Sequence, residues 1–178
     1  MKAREVIVII ALLSMGSISL GFTLPLPAQA WTVAGTSVNS LNLKQYPQYA
    51  YNNTFVFSPK SLTWKAYNSK GKVIKSGRAS GGASYCRDVK RACRTPVGSF
   101  KIISKGPASC KSSRYPLNGG GAKMPYCMFF SKYYAIHGSY DLPRRNASHG
   151  CVRVSPSSAR WLSKHFIRIG TRVVILPY

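Results

Sequence analysis

The strongest constraint on the fold is an alternation of apolar and polar residues across positions 62–79. Trp64 and Ala66 alternate with Thr63 and Lys65, and a period of two indicates a β-strand with one buried face. The NSKG sequence that follows supplies turn chemistry, with Gly71 able to take a positive φ. Because the alternation resumes over residues 72–79, we predict a β-hairpin.

The remainder of the chain adds one helix and several short strands. Ser155 and Pro156 are typical of a helix start, and the apolar spacing that follows predicts a short helix over residues 156–166. Residues 105–123 are rich in Gly, Ser and Pro and predict a long loop, which in a compact domain is functional or cross-linked. We predict further strands over residues 55–57, 97–104, 126–130, 133–136 and 171–176, with one more near 37–43.

The N-terminal segment has the pattern of a secretory signal peptide. Lys2 and Arg4 precede an apolar run, and small residues at Ala28 and Ala30 suit a cleavage site. We therefore predict a signal peptide over residues 1–30, a polar arm over 31–53 and one folded domain over 54–178, with no stable membrane span after cleavage. The alternative is an uncleaved membrane anchor, against which polar residues interrupt the apolar run.

The charge balance excludes some classes of enzyme. Lys and Arg number 26 against 3 acidic residues, a net charge of +23, and such a field attracts polyanions such as nucleic acid, anionic lipid or an acidic polymer. After cleavage only Asp88 and Asp141 would remain. A glycosidase needs two carboxylates flanking one bond, and a Mg²⁺ or Ca²⁺ site needs several oxygen ligands, so both classes are disfavoured.

The chain has five cysteines, so not all of them can pair with one another. In an oxidising compartment exposed thiols tend to pair, so one of the five stays unpaired. We expect this to be Cys151. We expect the pairs Cys86–Cys93 and Cys110–Cys127, although four cysteines allow three connectivities. Because no CxxC pair is present and the His and Cys spacing does not suit structural zinc, we expect no metal.

Residues 137–154, HGSYDLPRRNASHGCVRV, carry the strongest chemical signal. A thiol becomes a good nucleophile when a base or positive charge lowers its pKa, and this segment surrounds Cys151 with His137, His149 and arginines. Gly150 leaves room for a substrate carbonyl to approach the nearby backbone amides, which can form an oxyanion hole. The segment predicts a cysteine acyl-transfer enzyme, and the residues alone leave the two histidines nearly equal as candidates for the base.

The same segment resembles the catalytic signature of L,D-transpeptidases with a YkuD-type domain. The resemblance extends to RTPVGSF at residues 94–100, to MPY at 124–126 and to AIHG at 135–138, in the family's order over roughly residues 54–176. It implies a mostly-β fold, a sandwich-like mixed β-sheet with one short helix, and no cofactor.

The resemblance also implies roles for individual residues. Cys151 would be the nucleophile, and His137 the base that takes its proton, oriented by the backbone carbonyl of Gly138. The other expected members of the site are His149 in support, Gly150 as an oxyanion amide, Ser148 bracing the loop and binding substrate, and Arg153 and Tyr126 also binding substrate. The 14-residue step from His137 to Cys151 is shorter than in many family members.

The implied reaction is acyl transfer on peptidoglycan stem peptides through a Cys151 thioester, in the periplasm or cell envelope. An amine acceptor would give a cross-link, and water would make the same site an L,D-carboxypeptidase. Two alternatives belong to other classes: a secreted basic protein that binds nucleic acid or wall polymer, and a structural envelope protein anchored by an uncleaved N-terminus. No arginine-aromatic RNA-binding motif is present, so no nucleic acid partner is expected. The oligomeric state stays open.

Overall fold

A computed structural model describes residues 53–178, so the predicted signal peptide, the arm and the strand near residues 37–43 lie outside the described residues. The described part is mostly β with one short helix, as predicted. No helix within it is long and apolar enough to cross a membrane. Its strands are β1 (Thr54–Ser58), β2 (Thr63–Tyr67), β3 (Val73–Ser80), β4 (Gly98–Lys101), β5 (Ser104–Lys105), β6 (Met128–Ser131), β7 (Tyr134–Gly138), β8 (Val152–Val154) and β9 (Arg172–Ile175), and its helix is α1 (Pro156–Trp161), which continues as a π-helical segment, Leu162–Phe166.

The predicted hairpin is formed by β2 and β3, which pair antiparallel with Trp64 opposite Gly77. The turn is closed by the Asn68 side chain, whose Oδ1 accepts hydrogen bonds from the backbone of Lys70 and Lys72, each at 3.0 Å. Gly71 has a φ of 74°, a conformation that costs glycine little because it lacks a Cβ. The local signals of alternation and turn chemistry therefore agree with the structure.

One nine-stranded sheet runs through the described residues in the order β4-β9-β1-β2-β3-β8-β7-β6-β5. The strand β3 joins two halves of this sheet, one formed with β4, β9, β1 and β2 and the other with β8, β7, β6 and β5. Most of β3 pairs with β2, while Ala79 and Ser80 pair with β8. The sheet curls about this strand, so that both halves and the helix bury their apolar faces against each other. The resulting core includes Phe55, Phe57, Trp64, Met128, Ile136, Val152, Val154 and Leu162, all fully buried. Burial of side chains of this size contributes about 1.5–3 kcal/mol each.

Two predicted strands differ from the structure. The strand predicted over residues 97–104 is divided at Ile102, because the Ile102 amide donates to Thr171 O while the Ile103 amide donates to Phe129 O. The chain thus changes partner from one half of the sheet to the other, and β4 and β5 lie at opposite ends of the strand order. The strand predicted from residue 126 begins at Met128 instead, since Tyr126 has a φ of 57°, in the left-handed region.

The strand β8 was not predicted. Its three residues follow Gly150 directly, and a run this short gives too little alternation to be recognised. It nevertheless lies at the centre of the sheet between β3 and β7, where Val152 and Val154 are fully buried. This strand places the predicted nucleophile, because Cys151 is the residue before it.

Candidate active site

The parallel pair β7 and β8 brings the main candidates to one face of the sheet. Ile136 is in register with Val152, and His137 with Arg153. Ile136 and Val152 belong to the buried core. Since side chains alternate between the two faces of a strand, His137, Arg153 and Cys151 share the opposite face. There Cys151 packs against Ala135, the residue in β7 two positions before His137.

His137 is buried, with 6% of its surface exposed. Its Nδ1 lies 2.9 Å from the carbonyl oxygen of Gly138, which is the contact that the resemblance implies. An Nδ1–H that donates to this carbonyl leaves Nε2 unprotonated and able to accept a proton. Burial lowers the pKa of His137 to about 4, and the positive charge of Arg153 also lowers it, while the Gly138 contact raises it. The imidazole is therefore neutral at neutral pH.

Cys151 is the free cysteine of the described residues and is half-buried. Its sulfur lies 3.9 Å from the carbonyl oxygen of Tyr133. Burial raises the pKa of Cys151, against a backbone hydrogen bond from Ala135 and the charge of Arg153, which both lower it. Desolvation therefore opposes ionisation of the sulfur more strongly than the charge of Arg153 favours it, and a neutral thiol accompanies a neutral imidazole.

Ser148 is a buried brace of the loop that leads to Cys151. Its hydroxyl donates to the Cys151 carbonyl at 2.5 Å and accepts from the Gly150 amide at 3.0 Å. Its backbone amide and carbonyl bond to Gly81 and Ala83 of the neighbouring loop. The Gly150 amide, predicted to point at an oxyanion, therefore donates to the Ser148 hydroxyl instead. Ser148 makes contacts within the protein, which fits the bracing role better than substrate contact.

Gly150 occupies a position that a side chain would disrupt. Its φ is 121°, and a Cβ at this position would collide with the ring of Tyr134. Residues with a Cβ rarely adopt such a φ. The glycine therefore lets the chain turn sharply into β8 and presents Cys151 on the face shared with His137.

His149 joins two loops that lie far apart in sequence. Its Nε2 lies 2.7 Å from a carboxylate oxygen of Asp88, and its ring stacks on Tyr115 with 4.0 Å between ring centroids. From its place two residues before Cys151, this side chain is expected to support the nucleophile. In the structure its polar contact runs to Asp88, so any support reaches Cys151 through the backbone of the loop.

Two residues predicted to bind substrate have partners within the protein. Arg153 lies 2.6 Å from a carboxylate oxygen of Asp141. Tyr126 is partly buried against the main core, and its backbone amide donates to Pro107 O at 3.0 Å. Neither contact was foreseen, because no local pattern of residues identifies Asp141 or Pro107 as a partner.

Both disulfides have the predicted pairing, Cys86–Cys93 and Cys110–Cys127. They flank the site: Cys86 Sγ lies 3.9 Å from the carbonyl oxygen of Ser148, and the other disulfide packs in the same small apolar cluster as Cys151. Within the described residues, the sulfurs of Cys86 and Cys93 and an imidazole nitrogen of His149 lie within 4.8 Å of one another. Because the two sulfurs are bonded to each other, this group does not offer the thiolate ligands that zinc prefers.

Comparison with known proteins identifies the family of the domain. The family model of the L,D-transpeptidase catalytic domain, YkuD, matches residues 53–175. An L,D-transpeptidase from Xylanimonas cellulosilytica is similar in structure, with 28% identity, a TM-score of 0.61, and coverage of 71% of this chain and 61% of that one. L,D-transpeptidase 1 from Mycobacterium tuberculosis has 26% identity and a TM-score of 0.54, with 70% and 61% covered.

The fold is also similar to that of a solved structure with lower sequence identity. L,D-transpeptidase 3 from Mycobacterium tuberculosis, in complex with a faropenem-derived adduct, has 22% identity and a TM-score of 0.57, with 70% and 60% covered. The match thus spans about three fifths of the length of these solved structures. A search of the curated proteins gives no match. From the family match and the curled mixed sheet that it shares with these enzymes, the chain belongs to the family of the YkuD L,D-transpeptidase catalytic domain.

Proposed function

We propose that this protein is a cysteine L,D-transpeptidase that acts on peptidoglycan stem peptides. The observation that carries the proposal is the placing of Cys151 and His137 on one face of β7 and β8, with His137 Nδ1 held by the Gly138 carbonyl. A thiol beside a base whose other nitrogen is oriented by a third group is the arrangement of an activated nucleophile. Family membership supports a substrate in peptidoglycan.

The first step forms a thioester. Because Cys151 and His137 are both neutral at rest, Nε2 of His137 takes the thiol proton as the sulfur attacks the carbonyl carbon between an L-centre and a D-amino acid. The tetrahedral intermediate then collapses, the C–N bond breaks, and His137 gives the proton to the departing amine. The products are the free D-amino acid and an acyl-enzyme on Cys151.

The second step releases the acyl group. An amine of a neighbouring stem attacks the thioester carbon, loses its proton to His137, and leaves an amide cross-link as the sulfur regains a proton. Water in the same place would give a carboxypeptidase. Because the Gly150 amide donates to Ser148 Oγ, we propose the Cys151 amide as the first oxyanion donor. The two disulfides support action outside the cytoplasm, in the cell envelope.

Mass spectrometry of purified protein incubated with stem tetrapeptides tests this proposal. We expect the wild type to release the terminal D-amino acid and form peptide dimers. Cys151→Ala should lose at least a thousandfold in rate, and His137→Gln a hundredfold or more, since a positioned base contributes about 10²–10⁴. Release without dimers would indicate carboxypeptidation.

A covalent probe gives an independent readout. A related L,D-transpeptidase has been solved in complex with a faropenem-derived adduct. We therefore expect faropenem to add mass to the wild type and not to Cys151→Ala. Cys151 is the free cysteine of the described residues, so such an adduct identifies the nucleophile. Folded protein with reduced Cys151 that gives neither adduct nor peptide turnover would contradict the proposal.

A further inference from the structure

The loop formed by residues 106–127 contacts the candidate active site at His149 and in the small apolar cluster that includes Cys151. Tyr115 of this 106–127 loop stacks on His149, two residues before Cys151. The loop is cross-linked by Cys110–Cys127. At its turn, the Ser112 hydroxyl accepts hydrogen bonds from the amides of Arg114 and Tyr115 at 3.1 Å and 2.8 Å. The backbone that carries Arg114 is therefore held by several contacts.

Arg114 lies near the rings of two tyrosines, each of which belongs to a residue that contacts the candidate site. Its guanidinium carbon is 5.9 Å from the ring centroid of Tyr115 and 5.7 Å from that of Tyr133. The backbone carbonyl of Tyr133 is the one that lies 3.9 Å from the Cys151 sulfur. Ring faces attract a cation without neutralising it, so they position the guanidinium and leave its N–H groups available.

The charge of Arg114 has no carboxylate partner within residues 53–178. The two acidic residues of this region are engaged elsewhere, Asp88 with His149 and Asp141 with Arg153. Arg153, which the sequence analysis expected to bind substrate, is therefore already paired. A guanidinium binds a carboxylate through two parallel hydrogen bonds, and an exposed, positioned and unpaired arginine is suited to do so.

We propose that Arg114 binds a carboxylate of the stem-peptide substrate and is a specificity-determining residue of this site. The inference rests on the proposed function. Two sources supply the same chemistry: the C-terminal carboxylate of the D-amino acid that leaves, and a side-chain carboxylate elsewhere in the stem. Amidation of one carboxylate at a time distinguishes them.

The test measures kcat/KM for tetrapeptides with all carboxylates free, with the C-terminus amidated, and with the side-chain carboxylates amidated. Arg114→Gln should lower kcat/KM about tenfold or more on the free acid, mainly through KM, because hydrogen bonds to charged groups are stronger than neutral ones. The loss should vanish on the peptide that lacks the bound carboxylate. Arg114→Lys should recover part of the loss, since it keeps the charge without the planar fork.

Lys132→Gln is the matched control, because Lys132 lies 5.3 Å from the same Tyr133 ring and its loss removes the same charge nearby. An equal loss in Lys132→Gln, or a loss in Arg114→Gln that is the same on all three peptides, would overturn the inference. Binding of the same peptides to Cys151→Ala protein gives Kd values without turnover. An inactive wild type would contradict the proposed function, while unchanged Kd values in Cys151→Ala/Arg114→Gln would overturn the Arg114 assignment alone.

Discussion

At the scale of single residues, the candidate site combines the buried His137, the proposed base, with the half-buried Cys151, the proposed nucleophile, and burial shifts the pKa of both. Desolvation disfavours a charged imidazole and a charged thiolate alike. The charge of Arg153 lowers the pKa of both groups. It therefore opposes the charged form of His137 and favours the charged form of Cys151. In the proposed reaction, proton transfer from the Cys151 sulfur to the His137 nitrogen therefore accompanies attack on the substrate.

The pKa of His137 predicts the pH dependence of catalysis. Its pKa is lowered to about 4, chiefly by burial, so the imidazole becomes protonated, and loses its function as a base, only as the pH falls through that value. We expect kcat/KM, which reports the free enzyme, to hold from pH 7 to about 5 and to fall below that. Arg153→Gln should move this acid limb to higher pH, because it removes a charge that lowers the pKa. A limb centred near 6.5 in the wild type would contradict the prediction.

At the scale of elements, two cross-linked loops meet at His149. Asp88 lies between the bonded Cys86 and Cys93, and Tyr115 lies between the bonded Cys110 and Cys127. Both contact the imidazole of His149. The strands β7 and β8 position His137 and Cys151. The two disulfide loops supply the residues that surround the SHGC segment.

The lengths of the two disulfide loops predict an order of stabilities. Cys86→Ser/Cys93→Ser opens a loop with a sequence separation of 7, and Cys110→Ser/Cys127→Ser one with a separation of 17. Chain entropy predicts losses in the free energy of unfolding of about 2.5 and about 3 kcal/mol respectively. Urea unfolding measures both, and each variant keeps Cys151 as its remaining thiol among the described residues. We also expect each variant to lower kcat/KM, and unchanged activity in both would contradict the role given to the loops.

At the scale of the whole molecule, the dominant feature is charge. The chain has 26 basic and 3 acidic residues, and both acids of the described part already have a partner, His149 for Asp88 and Arg153 for Asp141. Most Lys and Arg side chains of residues 53–178 therefore have no carboxylate partner within that part of the chain. Such a field concentrates the protein on an acidic polymer while doing little for a small substrate already in the cleft.

Salt dependence tests this field directly. We expect co-sedimentation with insoluble peptidoglycan to fall several-fold between 50 mM and 500 mM NaCl, because screening shortens the Debye length from more than 10 Å to about 4 Å. The kcat/KM for a small tetrapeptide should change less over the same range. Binding to peptidoglycan that is independent of salt would show that contacts other than charge hold the protein there.

The features that the sequence determined by itself are local. The hairpin of β2 and β3 and the helix from Pro156 follow from alternation, turn chemistry and capping within a few residues, and the SHGC segment was recognisable from adjacent residues. Each of these signals depends on neighbours in the chain, where geometry is nearly fixed. The pairing of the four other cysteines agrees with the expectation, although their positions in the sequence allow three connectivities.

Other features were decided only when the sheet curled. Ile102 changes strand partner because both halves of the sheet pack around one core. His149 contacts Asp88 across 61 residues, and Arg153 is taken by Asp141. Desolvation makes His137 and Cys151 neutral, and the Gly150 amide turns to Ser148. Partner choice and burial depend on which faces meet in space, and the sequence pattern around a residue does not contain that information.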